Sequence, residues 1–140
     1  MESYSLYLSF NGSLILLFGL LCGVPYAKAI NANAEEHIVN SWRVAHASLP
    51  MGAILMFAVA ALLPHFTVDP LLKWIICCAF IVSGYSFCVS LPVAALTGKR
   101  GLTRETKFSS NVAYWGNLSG ALSSLIASIS LVFATFASFF

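Results

Sequence analysis

Four long apolar runs dominate this sequence, and each is long enough to cross a lipid bilayer. They extend over residues 8–29, 41–63, 71–96 and 110–140, and a transmembrane helix needs about 20 apolar residues. Charged residues make up only 9% of the chain, against about 25% in soluble domains. The sequence therefore predicts an all-α, polytopic membrane protein, a single four-transmembrane-helix bundle over residues 1–140 with short loops.

The basic residues predict how these helices are oriented. One side of the membrane receives Lys28, Arg43, Lys99, Arg100, Arg104 and Lys107, and the other receives Lys73. Because cytoplasmic loops are enriched in Lys and Arg, we expect the segments 28–43 and 97–107 to be cytoplasmic, at an inner or plasma membrane, with both termini outside. The net charge of +2 is then a topological signal and does not indicate a nucleic-acid partner.

Small residues spaced four apart predict where the helices approach closely. The first run has such a row, and the fourth has a longer one; the rows are Gly19, Gly23 and Ala27, and Gly116, Gly120, Ser124 and Ser128. Helices in lipid associate through small residues of this kind. The partner is left open, either a helix of the same chain or another subunit. Because four helices enclose little volume, a large ligand would fit more easily between protomers, which favours a homo-oligomer.

Five prolines predict bends and ends in the helices. Pro25, Pro50 and Pro92 lie within the runs, where proline removes a backbone hydrogen bond and kinks a helix. Pro64 and Pro70 flank the second loop and are expected to end the helices there.

His46 lies about one turn into the second run, and a polar ring in a bilayer helix costs free energy unless it is compensated. Two interpretations remain open: an interfacial histidine bonded to a carbonyl, or a ligand of a metal or heme. His65 lies roughly 28 Å further along the same helix, and His37 lies in a polar turn. No second histidine is expected at matching depth, which argues against a two-histidine cytochrome and suits a five-coordinate heme.

Polar side chains within the third and fourth runs are the candidates for contact with a substrate. They are Ser83, Tyr85, Tyr114 and Asn117. Tyr114 also fits an aromatic belt at the membrane boundary, and Asn117 also fits a hydrogen bond between helices. No carboxylate lies inside a run, which disfavours proton pumping and carboxylate acid–base catalysis.

Several short motifs together resemble a known family. They are WRVAH at residues 42–46, FAVAALLP at 57–64, Gly84-Tyr85, and RGLT at 100–103. In this order and at these separations, with the glycines of the first run, they resemble the styrene oxide isomerases. Those are small four-helix membrane enzymes that contain b-type heme.

The resemblance implies a specific chemistry. His46 is similar to the family's axial heme ligand, with Trp42 and Arg43 beside it as cofactor-binding residues, and the protein is expected to be a homotrimer with heme b near the subunit interfaces. In that family ferric iron acts as a Lewis acid on the oxygen of a lipophilic aryl epoxide. The C–O bond opens to a benzylic cation, and a 1,2-hydride shift gives the aldehyde without net redox. On this reading Tyr85, Ser83, Asn117 and Tyr114 are the candidate catalytic residues.

The chain also departs from the family pattern. The family has an asparagine shortly after its heme histidine, whereas this chain reads Ser48-Leu49-Pro50-Met51-Gly52. Ser83 aligns with a family aspartate, and Leu91 with a family tyrosine. Two alternatives therefore stay open: a heme-binding membrane protein with a role in redox chemistry, sensing or heme handling, and a heme-free accessory subunit.

Overall fold

The computed structural model describes residues 3–98 and 108–140, and every regular element in them is helical. The helices are α1 (Ser3–Leu21), α2 (Gly23–Asn31), α3 (Glu36–Leu62), α4 (Pro70–Thr97) and α5 (Phe108–Ala137), and a 3₁₀ turn (Leu63–His65) follows α3. Since α1 and α2 form one span and the turn extends α3, four segments are long and apolar enough to cross a membrane. The predicted all-α, four-helix membrane architecture is confirmed.

Helix α4 extends one residue beyond its apolar run at each end, because capping residues set its ends. Pro70 is the first residue of α4, where its missing N–H is not needed, and the Asp69 carboxylate accepts a hydrogen bond from the Leu71 N–H at 2.7 Å. The same helix ends at Gly98, whose φ of +67° is a left-handed cap that favours glycine.

The first membrane span is interrupted at Cys22, between α1 and α2. Pro25 explains the position of this break: it has no N–H to donate to the Leu21 carbonyl, and its ring crowds the preceding turn. The other two internal prolines act differently. The helices α3 and α4 continue through Pro50 and Pro92 without interruption.

Three of the spans pack around one another, and the fourth packs on the outside. The first span, α3 and α4 contact one another pairwise, whereas α5 packs along α4. Close approach of α1 depends on two glycines. A Cβ on Gly19 would lie 2.5 Å from Pro50 Cδ, and a methyl on Gly84 of α4 would collide with the Ile15 side chain.

The small-residue row of α5 faces α4 of the same chain. A Cβ built on Gly116 would lie 2.8 Å from Ser90 Cβ, and one on Gly120 would lie 2.9 Å from the Phe87 ring. The row therefore mediates a contact within the protomer over its first half. Further along, the Ser128 hydroxyl bonds to its own helix and is exposed.

The outer surface of the bundle is apolar along its whole length. Large hydrophobic side chains are exposed on every span, among them Phe10, Met51, Leu71 and Phe133. Apolar patches of this extent are unfavourable in water and match a hydrocarbon environment. The chain is a multi-pass membrane protein. The basic residues Lys99, Arg100, Arg104 and Lys107, and the RGLT motif, lie outside the described residues.

Candidate functional site

The imidazole of His46 is held by the segment around the break between α1 and α2. Its Nδ1 lies 3.0 Å from the Gly19 carbonyl oxygen. A Cβ on Gly23 would lie 2.9 Å from His46 Cε1, so the ring packs directly against this glycine. The ring of Tyr26 lies beside it, with centroids 6.1 Å apart and planes inclined by 31°.

The contact with Gly19 defines which nitrogen of His46 can bind a metal. A carbonyl only accepts hydrogen bonds, so Nδ1 carries the hydrogen and donates it. In the neutral ring Nε2 then has the free lone pair. The two interpretations of His46 are therefore compatible: the ring is bonded to a carbonyl through one nitrogen and keeps the other for a ligand.

Trp42 and Arg43 lie one turn before His46 on α3, in different environments. Trp42 is 9% exposed and packs within the core, so it supports the backbone of this turn. Arg43 is exposed and precedes His46 by three residues, a spacing that places two side chains on neighbouring parts of one helix face. Its guanidinium suits recognition of a carboxylate.

A second feature is an apolar groove between α3 and α5, with α4 as its floor. Its volume is about 320 Å³, within the range of small-molecule sites. Apart from three serine hydroxyls, its lining is apolar or glycine; the lining is Ile15, Ser48, Leu49, Gly52, Leu55, Met56, Phe80, Ser83, Gly84, Phe87, Leu91 and Ser124. The groove exists because α3 and α5 both pack on α4.

His46 and the groove lie on different faces of α3. Ser48 and Leu55 line the groove and lie about 200° and 180° around the helix from His46, whereas Leu49, about 60° from His46, is at the border between the two faces. His46 instead contacts Gly19 and Gly23 of the first span. One protomer therefore carries a candidate ligand on one face and an apolar groove on another.

Two of the candidate catalytic residues are on α4, and each contacts a different neighbour. Ser83 is 5% exposed; its hydroxyl donates to the Gly120 carbonyl at 2.9 Å, and the side chain lines the groove. The Tyr85 hydroxyl donates to Asn11 Oδ1 at 2.8 Å. Asn11 precedes Gly19 by eight residues, about 12 Å along α1, so the Tyr85 hydroxyl is well separated from His46.

The other two candidates are on α5 and lie outside the groove lining. The ring of Tyr114 meets Trp115 edge to face, with centroids 5.4 Å apart. Asn117 follows one turn after Tyr114 and is partly buried. The four predicted polar residues are thus distributed around the bundle within one chain.

The groove itself was not predicted from the sequence, although several of its positions were noted as departures from the family. Ser83 and Leu91 line it, as do Ser48, Leu49 and Gly52 of the departing segment 48–52. The small or apolar residues at positions where the resemblance implies polar groups are the signal that could have revealed it. Periodicity alone does not distinguish such a lining from ordinary core packing.

The donor set at His46 suits a cofactor that needs a single protein ligand. Within residues 3–98 and 108–140, no three His, Cys, Asp or Glu side chains are grouped to enclose a bare metal ion. Heme supplies four nitrogens to iron itself, so one imidazole is sufficient. The bonded Nδ1 and the adjacent glycine fit that requirement.

Comparison with known proteins decides the family. The family model described as styrene oxide isomerase matches residues 4–136. The chain belongs to the styrene oxide isomerase family. Among curated proteins none matches the chain. The match to the styrene oxide isomerase family covers nearly the whole chain, including His46 and every residue of the groove, and it supports an isomerase-family role.

Proposed function

We propose that this protein is a heme-dependent membrane isomerase that converts a lipophilic epoxide into a carbonyl product. The observation that carries the proposal is His46, whose Nδ1 is bonded to the Gly19 carbonyl at 3.0 Å and whose Nε2 is left for a ligand. Family membership over residues 4–136 supports the same reading.

In this proposal His46 Nε2 would hold the iron of heme b. Bound ferric heme would supply a Lewis acid for the epoxide oxygen. Trp42 holds the turn that carries His46, and the exposed Arg43 is placed to pair with a heme carboxylate.

The groove is the proposed binding site of the substrate. Its apolar lining excludes water, which disfavours hydrolysis of the epoxide to a diol. Isomerisation needs no co-reactant: the oxygen stays on the molecule, a hydride moves to the neighbouring carbon, and the formula is unchanged. The aromatic rings of Phe80 and Phe87 line the same groove, and an aromatic face favours a carbon bearing positive charge.

The four polar candidates have different places in this proposal. Ser83 borders the groove and is assigned to substrate contact. Tyr85, Tyr114 and Asn117 lie outside the lining of the same protomer, so they reach the substrate only if a neighbouring protomer presents them.

Assembly as a homotrimer, which the family resemblance implies, is part of this proposal. Most of the α3 residues that line the groove are turned away from His46, and in this proposal the groove of a second copy lies next to the His46 face. The proposed catalytic centre is therefore shared between protomers.

We also propose that the basic side of the molecule is cytoplasmic. Lys28 and Arg43 flank the connection between α2 and α3, and Lys73 is at the opposite end of the bundle. A phosphatase fused after Phe140 is expected to be active only outside the cytoplasm. Activity of the fusion inside the cytoplasm would reverse the orientation.

The experiment that tests the function is an absorption spectrum of the detergent-purified protein, before and after dithionite. We expect a Soret band that shifts on reduction and is absent in His46→Ala. Aryl and terpenoid epoxides are then incubated with the ferric protein, and carbonyl products are measured by gas chromatography. A colourless protein that does not take up added hemin would refute the proposal.

A second candidate function is a heme protein of the same family that does not isomerise epoxides. Ser83 and Leu91 favour it, because they line the groove at positions where the family resemblance implies an aspartate and a tyrosine. It predicts the same Soret band without conversion of any epoxide tested.

A further inference from the structure

We infer that the break between α1 and α2 positions His46, with Gly19 as the hydrogen-bond acceptor and Gly23 as the surface on which the ring lies. The inference rests on the proposed heme function and assigns both glycines as positioning residues. It explains how the imidazole of His46 is held in one orientation.

The first element of this device is the carbonyl of Gly19. Its oxygen accepts the Nδ1 hydrogen at 3.0 Å across 27 residues of sequence. Histidines that ligate metals commonly donate their second nitrogen to an acceptor, which fixes the tautomer and makes the ligating nitrogen more basic. Here the acceptor is a backbone carbonyl, so a side-chain substitution cannot delete the acceptor atom.

The second element is the missing side chain of Gly23. A Cβ there would lie 2.9 Å from His46 Cε1, 3.1 Å from Nδ1 and 3.5 Å from Nε2. All three distances involve one ring, so a methyl would push the whole imidazole away. Tyr26 lies beside the ring as well.

The third element is the break itself. Gly19, Gly23 and Tyr26 are spaced by four and three residues, so they share a face in a helical segment. Cys22 interrupts the helix between the two glycines, one turn before Pro25. The backbone at Cys22 stays right-handed helical and keeps its bonds to Phe18 and Tyr26, so all three residues remain on the face that contacts His46.

The first test replaces Gly23 and measures heme affinity by titration of the apoprotein with hemin. Gly23→Ala is expected to weaken binding by about 10-fold to 100-fold, the range seen when the support of a metal ligand is lost. Gly12→Ala is the matched control, because its methyl would meet Phe57 and Met56 in the same helix contact, remote from His46. Equal affinities of the two variants would overturn the assignment of Gly23.

The second test probes the hydrogen bond to Gly19 directly. His46→Gly removes the ring, and the variant is loaded with hemin and titrated with imidazole, 4-methylimidazole or 1-methylimidazole. The first two retain an N–H for the carbonyl, and the third does not. We expect half-maximal recovery of the Soret band at about fivefold lower concentrations of the first two, the effect of one hydrogen bond.

The outcomes separate this inference from the proposed function. A wild-type protein that binds no heme refutes both. If the wild type binds heme but the three azoles restore the Soret band of His46→Gly equally, the assignment of the positioning residues alone is overturned. The same holds if no azole restores the band while the variant stays folded. Since 4-methylimidazole carries the same added methyl as 1-methylimidazole, a difference between them is not due to size.

Discussion

Gly52 is the residue at which the groove can be changed with least disturbance of the protein. A Cβ built there meets no atom within 4 Å, although the residue lines the groove. A larger side chain would therefore enter the groove instead of the core.

We expect Gly52→Leu to lower epoxide turnover at least about 10-fold by occupying the space of the substrate. The Soret band should be unchanged, and removal of a helical glycine should add about 1 kcal/mol of stability. Ala58→Leu is the matched control, exposed on the same helix and outside the groove. Undiminished turnover in Gly52→Leu would show that the substrate binds elsewhere.

Arg43 permits a test of the charge beside His46. An exposed ion pair contributes up to about 1 kcal/mol, so Arg43→Gln should weaken hemin binding by no more than about fivefold, and less at high salt. Lys28→Gln removes the same charge from the same side of the membrane and serves as the control. Equal losses of hemin affinity in both variants would indicate a general effect of positive charge instead of a specific ion pair between Arg43 and a heme carboxylate.

His46 could be identified from the sequence, because it is the one imidazole in the apolar run 41–63 and therefore requires an explanation. The hydrogen-bond partner of His46 could not be identified from the sequence. Which carbonyl accepts the Nδ1 hydrogen depends on the break at Cys22 and on the rotation of α3 against α1, and neither follows from local residue preferences. The same holds for Tyr85, whose acceptor Asn11 lies 74 residues away.

At the scale of the helices, hydropathy was sufficient to predict four spans but not their packing. The ends at Pro70 and Gly98 follow from capping chemistry that is visible in the sequence. The arrangement of α5 does not: its glycine row indicates a close neighbour without saying which one. Only the structure shows that this neighbour is α4 and that a groove forms next to α3.

We expect the contact between α4 and α5 to be sensitive to added volume. In Gly116→Val, the new side chain would lie against Ser90 Cβ and the Ser86 carbonyl, so the free energy of unfolding should fall by about 1–3 kcal/mol. Thermal melting in detergent measures this change. Ser128→Val adds a similar side chain at an exposed position of the same helix and should melt like the wild type. Equal melting of the two variants would mean that α5 does not pack on α4 in solution.

At the scale of the whole molecule, the separation of His46 from the groove leads to a prediction about assembly. Native mass spectrometry from detergent is expected to give three copies of the 15.1 kDa chain. Mixing His46→Ala protomers with Gly52→Leu protomers should restore turnover in part, because intact ligand and groove then meet across an interface. A monomer that retains full turnover would exclude a shared site.

The position of the groove also determines whether the substrate concentration in lipid or in water governs the reaction rate. Leu55, which lines it, is 48% exposed, and Ser48 and Gly52 are exposed with it. Where a neighbouring protomer leaves these residues uncovered, they border acyl chains, and a lipophilic molecule would enter sideways from the bilayer. The concentration that governs the rate is then the mole fraction in lipid. Added vesicles would act as a diluent, and the apparent KM in bulk units would scale with the amount of lipid in the assay.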